Sequence, residues 1–134
     1  MNNMAENISK VNSELKLLCK QILEISSNIR YVGIVNKFGR TLAGKLRNDI
    51  VPFLKPEDMK NELYVHSMIY NLRRNYENSV GETQFIMISN SRVDIVSFYS
   101  NDLIYYISLE KDSDKNQLYS LIEKIRKIAK PYKI

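Results

Sequence analysis

Apolar residues in the N-terminal segment recur with the alternating three- and four-residue spacing of an amphipathic helix. Asn3 and Glu6 are suited to cap its start as a capping box. Ser26 and Asn28, which are poor helix formers, are placed to end it. The apolar stripe consists of Ile8, Val11, Leu15, Leu18, Ile22 and Ile25. The pattern therefore predicts a first helix with one buried side.

A β-hairpin is predicted to follow this helix. Residues 29–35 form a short β-branched and aromatic run that is typical of a strand, and residues 40–46 form the returning strand. Asn36 favours the first position of the intervening turn. Gly39 can adopt the left-handed conformation that a loop of this length needs.

The second helix is predicted to begin at Pro56 and to run to about Asn78. Proline suits the first helical turn, and Glu57 and Asp58 suit the positive end of the helix dipole. Gly81 is expected to close the helix. The helix is apolar on two sides, roughly 140° apart. One stripe consists of Val65, Met68, Ile69, Leu72 and Tyr76, and the other of Met59, Leu63, His66 and Tyr70.

Three further strands and a last helix complete the pattern. The runs 83–89, 92–99 and 103–109 are joined by short polar turns, which predicts an antiparallel meander. Asp114 can cap the last helix, and Pro131 is expected to stop it. Its apolar face carries Leu118, Leu121, Ile122, Ile125, Ile128 and Ala129. The order α-β-β-α-β-β-β-α predicts one α+β domain over residues 1–134, a five-stranded antiparallel sheet with helices on its faces.

Positive charge is concentrated near the C-terminus. The formal net charge is +5, and residues 114–134 contain six basic and two acidic side chains. The favoured interpretation is a solvated helix face, with positive charge near the helix C-terminus. The alternative is contact with a nucleic acid, an anionic membrane or an acidic protein. The predicted basic patch comprises Lys124, Arg126, Lys127, Lys130 and Lys133. Tyrosines 99, 105 and 106 are able to stack on bases, but cross-strand packing is the expected role.

Composition argues against metal, cofactor and catalytic chemistry. One cysteine and one histidine are too few for the usual zinc site, and the four glycines form no phosphate loop. We expect His66 on a partly buried helix face, Cys19 as a half-buried thiol and Asp94 on a solvent-facing strand position. No catalytic residue, cofactor or metal site is predicted, and the chain is not expected to be an enzyme. The single cysteine and the lack of a signal or spanning segment favour a cytoplasmic protein.

Two apolar features lack a partner in the predicted fold. One stripe is enough to dock the second helix on its sheet, so the other needs a cover. The first helix or residues 47–55 can supply that cover, or a second subunit can. The uncharged run 85–88 is open to pairing if it lies at a sheet edge. The predicted homodimer interface comprises Met59, Leu63, His66, Tyr70, Thr83, Phe85, Ile86, Met87 and Ile88.

Residues 31–44, YVGIVNKFGRTLAG, and the element order resemble the roadblock/dynein light chain family, which has a roadblock/profilin-like fold. A group of uncharacterised small archaeal proteins is more similar, through Leu18, Cys19, the hairpin and Arg47, over residues 15–128. The resemblance implies dimers that pair their third strands edge to edge and pack their second helices together. It also implies binding or regulation of small Ras-like GTPases without catalytic residues. The long 47–55 connection and the basic last helix depart from that family.

Three functional hypotheses follow from the sequence. The first is a homodimeric module that regulates or scaffolds a signalling partner such as a small GTPase. The second is a small-ligand sensor, because related α/β folds enclose pockets between sheet and helices. The third is binding of a nucleic acid or an anionic surface through the basic last helix.

Overall fold

A five-stranded antiparallel sheet, in the order β2-β1-β5-β4-β3, organises the computed structural model, which describes residues 4–111 and 114–129. Its strands are β1 (Ile29–Asn36), β2 (Thr41–Leu46), β3 (Ile86–Ser89), β4 (Val93–Ser100) and β5 (Leu103–Glu110). The helices are α1 (Met4–Ile25), α2 (Pro56–Arg73), α3 (Glu77–Val80) and α4 (Leu118–Ile128), with 3-10 turns at Arg74–Tyr76 and Lys115–Gln117. The predicted fold class and the order of its main elements are confirmed. The predicted roles of Asn3 and Pro131 lie outside the described residues.

The β1–β2 turn has the chemistry that the sequence predicts. The Asn36 side-chain oxygen accepts hydrogen bonds from the backbone N–H groups of Phe38 and Arg40, both at 3.0 Å. Gly39 has a φ of +83°, a conformation that suits a residue without a Cβ. The turn therefore fixes the hairpin register locally.

Helices cover both faces of the sheet. On one face, α1 and α4 pack on a core that includes Leu15, Ile22, Phe98 and Ile125. On the other face, α2 packs on a smaller core with Leu63 at its centre. Strand β5 lies in the middle of the sheet, and all of its residues but the last are buried. The layered arrangement leaves β2 and β3 as the two edges.

Arg47 joins the end of α1 to the hairpin. Its guanidinium donates hydrogen bonds to the backbone carbonyls of Ile29 at 2.7 Å, Ser26 at 2.6 Å and Leu23. Carbonyl groups at a helix C-terminus lack partners within the helix, so a cation here satisfies them and complements the helix dipole. One side chain thus positions α1 against β1.

The region between α2 and β3 differs from the prediction. The helix predicted to reach about Asn78 tightens into the 3-10 turn after Arg73, and α3 then ends at Gly81, which has a φ of +87°. Strand β3 begins at Ile86 rather than residue 83. The carbonyl of Gln84 accepts a hydrogen bond from the Arg126 guanidinium at 2.8 Å, so α4 engages this backbone group of the segment before β3.

Asp94 is buried, and its predicted solvent-facing position was wrong. Only 1% of the residue is exposed. Its Oδ1 accepts hydrogen bonds from Ser89 Oγ at 2.8 Å and Lys111 Nζ at 3.0 Å, and Lys115 Nζ lies 3.7 Å from Oδ2. Burial by itself raises the pKa of the carboxyl, but the Lys111 and Ser89 hydrogen bonds and the lysine charges outweigh it and hold the pKa below its usual value.

Candidate interaction surface

One apolar stripe of α2 and of the turn that follows it points away from the sheet. The exposed fractions are 46% for Val65, 43% for Met68, 58% for Leu72 and 55% for Tyr76. Ile69 is half-buried. Their spacing of three and four residues places these five residues, which we call the outer α2 stripe, on one side of the helix. The stripe is free of charge, which is unusual for the accessible side of a surface helix.

Strand β3 forms one edge of the sheet and pairs only with β4 among the described strands. Ile86 and Ile88 pack toward the core beneath α2, whereas Phe85 and Met87 pack toward the core beneath α1 and α4. All four side chains are only half-buried. Residues 86–88 therefore meet the condition set by the sequence, a position at a sheet edge, and Phe85 precedes the strand. An uncharged edge of this kind is open to pairing with another strand.

The outer α2 stripe and the β3 edge belong to the same side of the molecule. Ile69 and Arg73 of α2 line one open groove together with Gly81, Phe85 and Ile86. Arg73 Nε also donates a hydrogen bond to Thr83 Oγ1 at 3.1 Å, across that groove. A partner that pairs with β3 would therefore also meet the accessible side of α2.

The other stripe of α2 is its docking face, which corrects the predicted interface. Leu63, His66 and Tyr70 are buried within the chain, and Met59 packs beside them. The Tyr70 hydroxyl donates a hydrogen bond to the Ser97 carbonyl at 2.7 Å, which satisfies the polar end of the side chain on β4. These residues are covered by the sheet of their own chain and are not accessible to a second subunit.

His66 has the environment of a neutral core residue. Its Nδ1 lies 2.7 Å from Ser97 Oγ, and Nε2 lies 3.7 Å from Glu62 Oε1. The ring packs edge-on against Tyr106 at 4.9 Å between centroids. Burial lowers the pKa of His66 to about 4, so the ring is uncharged at neutral pH. His66 is therefore fully buried, whereas the sequence predicted a partly buried position.

The predicted basic patch is divided between engaged and exposed groups. Arg126 donates hydrogen bonds to Glu123 and to the Gln84 carbonyl, and its guanidinium lies 5.1 Å above the Phe98 ring. Lys124 and Lys127 are exposed on α4. Lys130 and Lys133 lie outside the described residues. Within the described part of α4, Arg126 joins α4 to the segment before β3 and is not free to bind an anion.

The other side chains that could be reactive or bind a ligand lie in separate parts of the fold. Cys19 is buried on the inner side of α1, where burial raises the pKa of its thiol to about 12. Tyr105 and Tyr106 are buried in β5, and Tyr105 stacks on Phe98 across the strands at 5.2 Å, which confirms the expected packing role. No group of three potential metal ligands occurs among residues 4–111 and 114–129. In the same ranges, no helix combines the length and apolarity needed to cross a membrane.

Solved structures resemble this fold although their sequences have diverged. A roadblock/LC7 domain from Streptomyces avermitilis superposes with a TM-score of 0.65 at 10% identity and covers 84% of this chain and 91% of its own. Myxococcus xanthus MglB superposes with a TM-score of 0.67 at 8% identity and covers 87% of this chain and 84% of its own. MglB in a tetrameric arrangement superposes with a TM-score of 0.65 at 13% identity and covers 90% of this chain and 88% of its own. No family model and no curated protein sequence matches this chain. The similarities show that the fold is of the roadblock type.

Proposed function

We propose that this chain is a single-domain, non-catalytic module that forms a homodimer through the β3 edge and the outer α2 stripe. The observation that carries the proposal is that these two surfaces meet at one groove, where Ile69 and Ile86 lie with the charged side chains of Arg73 and Glu82. In an isologous dimer, two β3 strands would pair antiparallel about a two-fold axis. The α2 helices of the two protomers would then lie side by side over the joined sheet.

A stable dimer requires both the outer α2 stripe and the β3 edge. Covering a large apolar side chain that is half exposed contributes about 1 kcal/mol, so the four most exposed residues of the stripe contribute roughly 8 kcal/mol over two protomers. Association costs on the order of 4–15 kcal/mol in lost translational and rotational freedom. The stripe alone is therefore marginal. Backbone pairing between the β3 strands supplies the remaining stabilisation, and loss of either part is expected to dissociate the dimer.

Light scattering on matched variants tests this dimer. The wild-type protein is expected at twice the 15.7 kDa mass of the chain. Leu72→Glu and Ile86→Lys should both give monomers, because each places a charge in the proposed interface. Leu17→Glu is the control, since Leu17 is a 55% exposed helical leucine on α1, which packs on the opposite face of the sheet. A monomeric wild type, or a dimer that persists in either interface variant, would refute the interface.

The proposed role of the dimer is to scaffold or regulate a signalling partner in the cytoplasm, with a small Ras-like GTPase as the first candidate class. The roadblock-type fold and the family resemblance of residues 31–44 support this class. A non-catalytic role is supported by the positions of His66, Cys19 and Asp94, which are buried in three separate regions. Affinity capture from the native cell extract, with partners identified by mass spectrometry, tests the partner. Recovery of a small GTPase by the wild type, and binding of the purified pair, are expected. Failure of that pair to bind in either nucleotide state would exclude this class.

A further inference from the structure

A cavity of about 260 Å³ lies between the sheet and the segment that connects β2 to α2. Its floor is formed by the sheet residues Tyr31, Ile95 and Tyr106, and Met59 in the first turns of α2 forms one wall. Pro52 and Leu54 of the connecting segment also line it. The lining is predominantly apolar, as is usual for sites that take small organic molecules. The long 47–55 connection thus encloses space as well as joining two elements.

Two arginines contact Phe53 at the edge of the cavity: Arg30 lines the cavity itself, whereas Arg92 precedes the lining residue Val93 in the chain. Phe53, which lines the cavity and is half exposed, lies between the guanidinium groups of Arg30 at 4.3 Å and Arg92 at 4.8 Å from the ring centroid. Arg30 is already engaged, because it donates hydrogen bonds to Glu110 and to the Val51 carbonyl, both at 2.9 Å.

Arg92 differs from Arg30 in what it contacts. It is exposed, and it has no carboxylate partner within the described residues. The aromatic contact holds the Arg92 guanidinium against Phe53 but leaves its hydrogen-bond donors available. The edge formed by Phe53 therefore carries a positive charge that has no carboxylate partner among the described residues, next to an apolar lining.

We propose that this cavity binds a small apolar molecule that carries a carboxylate, with its hydrocarbon part against Ile95 and Tyr106 and its carboxylate at Arg92. The volume of the cavity and the positive charge of Arg92 together favour this class of ligand. An apolar cavity of about 150 Å³ accommodates benzene, so one of about 260 Å³ suits a ligand of roughly ten heavy atoms. Octanoate has this size and this combination of groups. Arg30 and Arg92 both contact the connecting segment, through the Val51 carbonyl and the Phe53 ring.

Octanoate and 1-octanol form a matched pair of probes, because they share a chain length and differ in charge. Binding is measured by calorimetry and by methyl chemical shifts in protein NMR, below the concentration at which octanoate forms micelles. Saturable binding of both probes is expected, with octanoate about three- to tenfold tighter. Shifts should occur at Met59 and Ile95 and not at Ile125, which belongs to α4 and packs on the other face of the sheet.

Three variants test the site, and a fourth is their control. Arg92→Gln is expected to lower the affinity for octanoate to that for octanol and to leave octanol unaffected. Arg40→Gln, in the β1–β2 turn, is the control and should change neither affinity. Ser108→Leu and Met59→Trp each add atoms to the cavity and should abolish binding of both probes. Two filling variants are used so that the test stands if one of them repacks the sheet, and the NMR spectrum reports whether each has kept its fold.

Three results would overturn the proposal. The first is an absence of saturable binding by the folded wild type, which would indicate a cavity that stays empty or receives a side chain of a partner protein. The second is binding that survives both filling variants, which would place it elsewhere. The third is equal affinity for the two probes, which would remove the carboxylate from the proposal. None of these results depends on whether the chain forms a dimer.

Discussion

Lowering the pH from neutral is expected to destabilise this protein in part through the titration of His66. Burial lowers the pKa of His66 to about 4, compared with the usual value near 6.5. The unfolded chain therefore binds the proton more strongly than the folded chain does. Stability from the neutral ring is fully present above about pH 6.5 and is lost as the pH falls towards about 4.

The size of this effect follows from the shift in pKa. Each pKa unit corresponds to about 1.4 kcal/mol, so titration of His66 between pH 7.5 and 4.5 removes about 2.5 kcal/mol from the free energy of unfolding. The Glu62 carboxylate, 3.7 Å from Nε2, favours the charged ring and makes this value an upper one. A loss of this size is a large part of the stability of an ordinary domain.

Two measurements follow the titration. His66 is the only histidine in the chain, so its ring protons report the pKa directly by NMR without an assignment problem. Urea unfolding across the pH range, at one protein concentration, gives the free energy of unfolding. His66→Asn is the reference, because asparagine can keep the hydrogen bond to Ser97 Oγ and does not titrate. The wild type should lose about 2.5 kcal/mol more than this variant between pH 7.5 and 4.5. An NMR pKa near 6.5, or equal losses in the two proteins, would refute the reasoning.

Three further outcomes are expected. Asp94→Asn should lower the free energy of unfolding by about 3 kcal/mol at neutral pH, because it leaves Lys111 without its buried counter-charge. Chemical denaturation at pH 7 measures this difference. An unchanged free energy of unfolding would argue against the ion pair. The same carboxylate, whose pKa is below its usual value, contributes stability that is lost as the pH falls through the acid range, so the wild type and Asp94→Asn should converge in acid. Arg47→Ala should cost about 2 kcal/mol, because three backbone carbonyls between the last turn of α1 and the start of β1 lose their donor, whereas Arg40→Ala at the exposed turn should cost almost nothing. Cys19 should resist thiol reagents at about pH 8 until the protein unfolds, since the pKa of its thiol is raised; rapid labelling of the folded chain would contradict its burial.

Most of the fold could be predicted because its signals are local. The spacing of Leu15, Leu18 and Ile22 identifies α1 and its buried side without reference to the rest of the chain. Asn36 and Gly39 likewise determine the hairpin turn through contacts within a few residues. Elements of this kind need no knowledge of tertiary packing.

The orientation of α2 could not be predicted, because its two stripes are both apolar. The pattern alone did not distinguish the two stripes, and the family resemblance assigned the stripe that contains His66 and Tyr70 to the dimer interface. In the structure those atoms find partners on Ser97 of β4, a residue distant in sequence. Asp94 was misplaced for the same reason, since its partner Lys111 lies at the far end of β5 and reaches Asp94 only in the folded sheet. The cavity beneath Phe53 depends on how the 47–55 segment folds, which no periodic pattern reports.

Isotope-filtered NMR on a dimer reconstituted from differently labelled protomers tests the central claim most directly, because it detects only contacts between the two chains. The account predicts contacts between protomers from Ile86 and Ile88 of β3 and from Leu72 and Ile69 of α2. Contacts confined to the other sheet edge, β2 (Thr41–Leu46), or an absence of contacts at concentrations where light scattering reports a dimer, would contradict it.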